Sequence, residues 1–230
     1  MRTPLNGIIG YTQLALENSE YHDDKPNETE LKVVLKNAVQ LLALINNILD
    51  TSALEAGKMD VTPELVNLKE LVHSAIDTVC PFVLKNSNQL EHQISGNEMV
   101  IVDKAKLQQI LLNLLTNAAN FTHCGHITLI GESTATQLRI EVSDTGIGIP
   151  KDQQALIFQP FRKVEIDNAY KYQGTGLGLA ISQAFCLLMG GTITVKSSVS
   201  VGSTFTVTIP LPVRVKGHSH IDGTKASKRL

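Results

Sequence analysis

The sequence predicts an α+β protein, with a pair of N-terminal helices followed by a mixed unit of short strands and amphipathic helices. Two observations carry this. A long apolar stripe, Leu31, Val34, Leu35, Ala38, Leu41, Leu42, Ile45, Ile48 and Leu49, recurs at steps of three and four, the period of a buried helix face. Beyond Gly57 the texture changes, and segments alternating apolar with polar residues are interleaved with helical ones.

Taken in order, Leu5, Ile8, Ile9, Leu14 and Leu16 predict a first helix over residues 3–18. The polar run 19–28, containing Pro26, is a loop, and the stripe of residues 31–49 is the second helix. Gly57 suits a left-handed cap at its end. Two helices joined by a short loop make a hairpin whose apolar faces need further partners. A four-helix bundle formed by dimerisation supplies them, and packing against the rest of the same chain is the alternative. Residues 68–84 read as a helix disturbed by Pro81, 99–102 as a short strand running into Asp103, and 105–121 as an amphipathic helix. Residues 127–131 and 138–143 alternate as strands around a turn at 133–136. Residues 177–189 are helical and closed by Gly190-Gly191, and 193–196 and 204–209 form a last hairpin with Gly202 in its turn. The tail 213–230 is polar and basic and has no core pattern.

Composition narrows the function. With 230 residues and 43% hydrophobic content the chain can bury one core plus a helical appendage. A formal net charge of -2 gives no electrostatic case for nucleic acid or an anionic membrane as partner. Trp is absent and aromatic residues make up 4%, which also argues against a base-stacking platform. No apolar run reaches bilayer length and no basic-then-apolar leader is present, so the expectation is a cytoplasmic chain without a membrane segment. Cys80, Cys124 and Cys186 are widely spaced and read as buried or free thiols in a reducing compartment.

Four short motifs fit a single nucleotide site. They are Asn113-Leu-Leu-Thr-Asn117-Ala118, Asp144-Thr-Gly146-Ile-Gly148-Ile-Pro150, Phe158-Gln-Pro-Phe161 and Gly174-Thr-Gly176-Leu-Gly178-Leu-Ala180. Each alone is weak, but the ordered set is not. Asn113 and Asn117, four apart, present both amides to one side of a helix. A Mg²⁺ on a triphosphate takes oxygen ligands, and a neutral amide oxygen serves without adding negative charge. Asp144 ends a strand, where its carboxylate can accept the exocyclic amino group of adenine. Gly146 and Gly148 permit close backbone approach to the ligand. Gly174, Gly176 and Gly178 lead into a helix whose first amides suit phosphate oxygens. The polar segment 162–173, with Lys163 and Lys171, reads as a lid over those phosphates.

This assembly resembles the histidine kinases of two-component signalling, within the ATPase superfamily shared with gyrase, MutL and the heat-shock chaperone ATPases. The resemblance covers residues 1 to about 212. Arg2-Thr-Pro-Leu-Asn-Gly-Ile-Ile-Gly10 is similar to the tail of the phosphoacceptor box, and Leu41-Leu-Ala-Leu-Ile-Asn-Asn-Ile-Leu-Asp50 to the second dimerisation helix. The match is nearest to hybrid sensor kinases, whose acceptor box ends in Arg-Thr-Pro-Leu-Asn. The resemblance implies a dimerising helical hairpin over 1–58, a two-layer α/β sandwich that binds ATP over 59–212, and a flexible tail over 213–230. It implies transfer of the ATP γ-phosphoryl to a histidine, with Mg²⁺ as cofactor and a response-regulator receiver domain and a second copy of the chain as partners. Asn117 becomes the Mg²⁺ ligand with Asn113 as its neighbour, and Asp144 the adenine contact, with Thr204 joined to it through water. Phe158 and Phe161 anchor the lid, and Lys163 faces phosphate.

Three departures qualify the transfer. The family's acceptor His and adjacent acid fall just ahead of Arg2, where this sequence has Met1, so the expectation is a chain without its own acceptor and with no catalytic side chain of its own. Asn120 stands where many members have Lys, and Gln173 where many have Gly. His22, His73, His92, His123 and His126 read as ordinary histidines, and a metal role for His218 and His220 is the weaker reading. Two alternatives from other classes remain. One is a non-enzymatic module or pseudokinase that pairs with a complete kinase or a receiver; the other is a superfamily ATPase outside any phosphorelay.

Overall fold

The structure, a computed structural model, describes residues 8–13, 15, 31–35, 37, 38, 41, 42, 45, 49, 52, 53, 57–162 and 176–212. The loop at 19–28, much of the hairpin, Lys163, Lys171, Gln173, Gly174 and the tail 213–230 lie outside the described residues. Within the hairpin, residues 8–13 and 31–35 are helical, as their periodicity predicts. Gly57 has φ +61°, and the Lys58 N–H donates to the Ala53 carbonyl at 3.0 Å, so the second helix closes with a left-handed cap. Ile8, Val34, Leu41 and Leu49 remain 45–49% exposed. Packing within one chain therefore leaves these parts of the stripe uncovered.

After the cap, the chain runs β1 (Glu64–Asn67), α1 (Leu68–Lys85), β2 (Gln89–Gly96), β3 (Met99–Val102) and α2 (Lys104–Phe121). It continues through β4 (His126–Ser133), β5 (Gln137–Asp144), a 3-10 turn at Leu156–Phe158, α3 (Gly178–Leu188), β6 (Thr192–Ser198) and β7 (Gly202–Pro210). Five strands form one sheet in the order β2-β4-β5-β7-β6, parallel between β2 and β4 and antiparallel elsewhere. β1 and β3 form a separate antiparallel pair.

Strand periodicity fixes which face is covered. Leu138, Ile140, Val142 and Asp144 of β5 are buried, as are Ser203, Phe205, Val207 and Ile209 of β7. Residues between them face outward, among them Arg139, Glu141, Ser143, Thr204 and Thr206. The three helices cover the buried face, with α1 against β2, α2 against β5, and α3 against β6 and β7. Leu107, Ile110, Leu111, Leu114 and Leu115 of α2 are almost wholly buried, so α2 is the centre of the helical layer. The architecture is the two-layer sandwich that the sequence predicts.

Both long helices begin on a side-chain cap. Asn67 accepts from the N–H groups of Lys69 and Glu70 at the start of α1. Asp103 accepts from Lys106 N–H at 3.0 Å at the start of α2. Its other oxygen takes Thr62 N–H at 3.0 Å and the Lys106 ammonium at 2.7 Å. Burial opposes charge on Asp103, but these donors prevail and hold its carboxyl below the usual range.

Three elements differ from the sequence reading, one of them the four-residue strand β1, which was not predicted. α1 runs unbroken through Pro81, which lies on the exposed side of the helix, so its ring meets solvent rather than core. β2 was not legible, because Gln89-Leu-Glu-His-Gln-Ile-Ser-Gly lacks apolar alternation; as an edge strand it needs little. All three cysteines are free thiols, Cys186 buried and Cys80 and Cys124 exposed. Burial pushes the Cys186 thiol up to about 12, which leaves it protonated and inert at neutral pH.

Candidate nucleotide site

β5 carries Asp144 to the end of the sheet, where it is 9% exposed. One carboxylate oxygen, Oδ1, accepts from Gly146 N–H at 2.9 Å and from Ser203 N–H at 3.3 Å. Oδ2 takes no bond from a described residue, yet it is not among the sealed buried atoms that lack a partner. The group is thus held by one oxygen and open at the other. Burial pushes the Asp144 carboxyl up from its ordinary range, and the two backbone donors work against that rise.

The turn after Asp144 is possible only with glycine. A β-carbon on Gly146 would stand 2.3 Å from the Phe121 carbonyl oxygen at the end of α2. At Gly148, φ is +70° and a β-carbon would meet the Ser198 carbonyl oxygen at 2.0 Å. The close approach that the sequence suggested toward a ligand is, at these two positions, an approach of the chain to itself. It wedges the turn between α2 and the β6–β7 connection. Ile147 N–H reaches the Phe121 carbonyl at 3.2 Å, and Ile149 N–H reaches Ser197 Oγ at 2.7 Å.

The helix-spaced asparagines have different surroundings. The Asn113 amide donates to the Gly178 carbonyl at 2.9 Å and to Ser182 Oγ at 3.1 Å, and its oxygen accepts from Gln109 at 3.2 Å. It therefore ties α2 to the first turn of α3 instead of facing a ligand. Asn117, one turn on and half-buried, has no side-chain partner among the described residues. Its amide oxygen is the one available for a cation.

Among the described residues the side chain of the N-cap residue Leu177 makes no capping hydrogen bond to α3, which begins at Gly178 beside Asn113. Gly176, at φ +72°, accepts from Phe161 N–H at 2.9 Å, and a β-carbon there would stand 2.9 Å from that backbone. The two ends of the predicted lid are pinned together at this contact. Phe158 is half-buried against the core and can anchor the lid, whereas Phe161 is 65% exposed at φ +63°. Lys163 and Gly174 lie outside the described residues.

Thr204 is not where its expected role needs it. It pairs with Ser143 across β5 and β7, and their hydroxyls stand 2.9 Å apart on the outward face, opposite Asp144. Ser203 pairs with Asp144 on the inner face, and its hydroxyl lies 3.0 Å from Ser197 Oγ. The signal was present in the phase of Phe205, Val207 and Ile209, which puts odd-numbered residues of β7 inward. A groove of about 450 Å³ lined by Lys151, Gln154, Lys196 and Ser198 contains none of the predicted site residues.

Comparison with known proteins bears on the family and the fold. Residues 102–213 match the family described as histidine kinase-, DNA gyrase B-, and HSP90-like ATPase, and residues 1–57 match the His Kinase A (phospho-acceptor) domain. This chain has the catalytic core of a histidine kinase. It is 37% identical over 216 residues to the signal transduction histidine-protein kinase BarA of Escherichia coli K12, covering 89% of this chain and 23% of that protein. It is 38% identical over 213 residues to the autoinducer 2 sensor kinase/phosphatase LuxQ of Vibrio cholerae, covering 89% and 24%. The crystal structure of full-length ShkA in complex with AMPPNP superposes with a TM-score of 0.74 at 29% identity, over 92% of this chain and 44% of that one. The chain thus spans less than a quarter of the length of these curated relatives. No helix among the described residues is long and apolar enough to cross a membrane.

A pH test follows from Asp144. Its folded carboxyl holds a proton more tightly than the unfolded one, so its contribution to stability is full below the unfolded range. That contribution is lost as pH rises through the raised value. Asp144→Asn keeps the oxygen that Gly146 and Ser203 bind and removes the buried charge. Urea unfolding should show the variant gaining on wild type as pH rises from about 4 toward neutrality; a constant difference across that rise would contradict the raised carboxyl.

Proposed function

We propose that these residues form the ATP-binding catalytic core of a sensor histidine kinase, which transfers the γ-phosphoryl of Mg·ATP to a histidine for passage to a receiver aspartate. The observation that carries this reading is the half-held carboxylate of Asp144. With Oδ1 fixed by backbone, Oδ2 is left to accept a donor, in this reading the exocyclic amino group of adenine. Guanine offers a carbonyl oxygen at that position, so acceptor would face acceptor. The Ser203 backbone braces Asp144, and its hydroxyl takes over the water-linked role first expected of Thr204.

The remaining residues serve placement and charge. Asn117 would hold Mg²⁺ through its unpaired amide oxygen, and its neutral donor suits a cation already bound to phosphates. The ion would supply neutralisation of the phosphate charge. The first turn of α3 would give backbone N–H groups to phosphate oxygens, and Asn113 keeps that turn fixed against α2. Lys163 and Gly174 belong to the lid in this reading. No described side chain attacks phosphorus. The nucleophile is an imidazole on the acceptor hairpin, so the bond from phosphorus to the β-phosphate oxygen breaks as the phosphorus–nitrogen bond forms.

The same reading divides the chain at 1–58, 59–212 and 213–230 and makes it a cytoplasmic homodimer through the hairpin, with a receiver domain as its second partner. The exposed Ile8, Val34, Leu41 and Leu49 support the dimer. In this reading the acceptor is an imidazole of the family's acceptor box and not one of the seven histidines present here, none of which adjoins the Arg2-Thr-Pro-Leu5 run.

Two measurements test this. Asn117→Ala should weaken Mg·ATP binding about tenfold in titration calorimetry while costing under about 1 kcal/mol of stability; unchanged affinity would remove Asn117 from the site. With labelled ATP, these 230 residues alone should accumulate no acid-labile phosphohistidine. They should instead label an added hairpin that carries the family's acceptor His. Label on any histidine of the chain itself, His22 included, would overturn the assignment.

A further inference from the structure

His92 breaks the rule of its row. On β2 it lies between Leu90 and Ile94 and pairs in register with the buried Leu129 of β4, so it belongs to the helix-facing side. Alternation asks for an apolar residue there. Its partner across the layer is His73 on α1. The two Nε2 atoms stand 3.1 Å apart, the rings are nearly perpendicular at 89°, and the centroids are separated by 5.0 Å. Both side chains are at the surface, where solutes reach them.

Alone, the pair can share one hydrogen bond, in which one ring donates and the other accepts. The geometry meets a further requirement. Rings joined end to end at 3.1 Å would hold their centroids farther apart than 5.0 Å, because each centroid lies behind its nitrogen. The rings are therefore bent about their contact, as two ligands of a single ion are. Imidazole nitrogens at about 2.0–2.1 Å from a tetrahedral Zn²⁺ lie about 3.3 Å from one another. The observed separation needs only a small opening.

We propose that His73 and His92 form a two-point site for a divalent transition-metal ion of the zinc, nickel or copper class. Imidazole donors select these ions over Mg²⁺ and Ca²⁺, which take oxygen. The site is thus chemically separate from the one around Asn117. Among the described residues no third His, Cys, Asp or Glu completes it, so water fills the other positions and the ion is exchangeable. Bound there, it clips the edge strand β2 to α1 and stabilises that side of the sandwich.

Thermal unfolding of the intact chain with Zn²⁺, with Mg²⁺ and without either ion tests this. Zn²⁺ should raise the midpoint by a few degrees and Mg²⁺ should not. His73→Gln and His92→Gln, each shown to be folded by circular dichroism, should each lose the rise and bind Zn²⁺ about tenfold more weakly. Cu²⁺ paramagnetic resonance gives a second readout, since coupling to two imidazole nitrogens should fall in either variant. A rise that persists in both variants would place the ion elsewhere, His218 and His220 included, and would overturn the proposal. Absence of any rise in the wild type would do the same.

Discussion

Where β5 gives out, Asp144 is clamped by two backbone N–H groups, and much of the site depends on that clamp. Gly146 N–H comes from the turn that follows and Ser203 N–H from the neighbouring strand, so one oxygen joins three parts of the chain. A charged acceptor forms stronger bonds than a neutral one, but burying it raises its proton affinity. The fold accepts that cost at a single position and gains a fixed carboxylate with a reachable second oxygen. Gly146 and Gly148 are consequences of the same constraint. The turn can reach Asp144 only by passing against the Phe121 and Ser198 carbonyl oxygens, where no β-carbon fits.

A second joint ties α2 to α3. Asn113 spends its whole amide on Gln109, Gly178 and Ser182, which locks the start of α3 onto α2. Asn117, one turn later on the same helix, has no side-chain partner among the described residues. Four residues of spacing thus separate a structural asparagine from an available one, and α2 serves both because its opposite face is buried core. The Phe161–Gly176 hydrogen bond lies beside that joint and ties the chain after Phe158 to the start of α3.

Most of the layered architecture was legible, since β4, β5, β7, α2 and α3 all bury one side and carry the period that burial imposes. β1 and β2 were not, one being four residues long and the other a polar edge. Pro81 misled because a proline on the exposed side of a well-packed helix costs less than its general reputation implies. Within the site, residue types were readable but their orientations were not. Asn113 and Asn117 look equivalent until α3 is placed beside one of them. Thr204 carries the resemblance's water-linked role although the phase of β7 turns it outward. His92 was taken as ordinary because β2 itself was unseen, and only the parallel register with β4 sets it against α1.

The account stands on Asp144 as an acceptor that distinguishes adenine from guanine. Parallel titrations of wild type and Asp144→Ala with Mg·ATP and Mg·GTP measure this directly. Wild type should favour ATP, and Asp144→Ala should lose about tenfold or more in ATP affinity, in line with a charged hydrogen bond of about 1.5–3 kcal/mol. GTP binding should change little, so the preference should collapse. Equal affinity of the wild type for the two nucleotides would contradict the account, as would an Asp144→Ala variant that still prefers ATP.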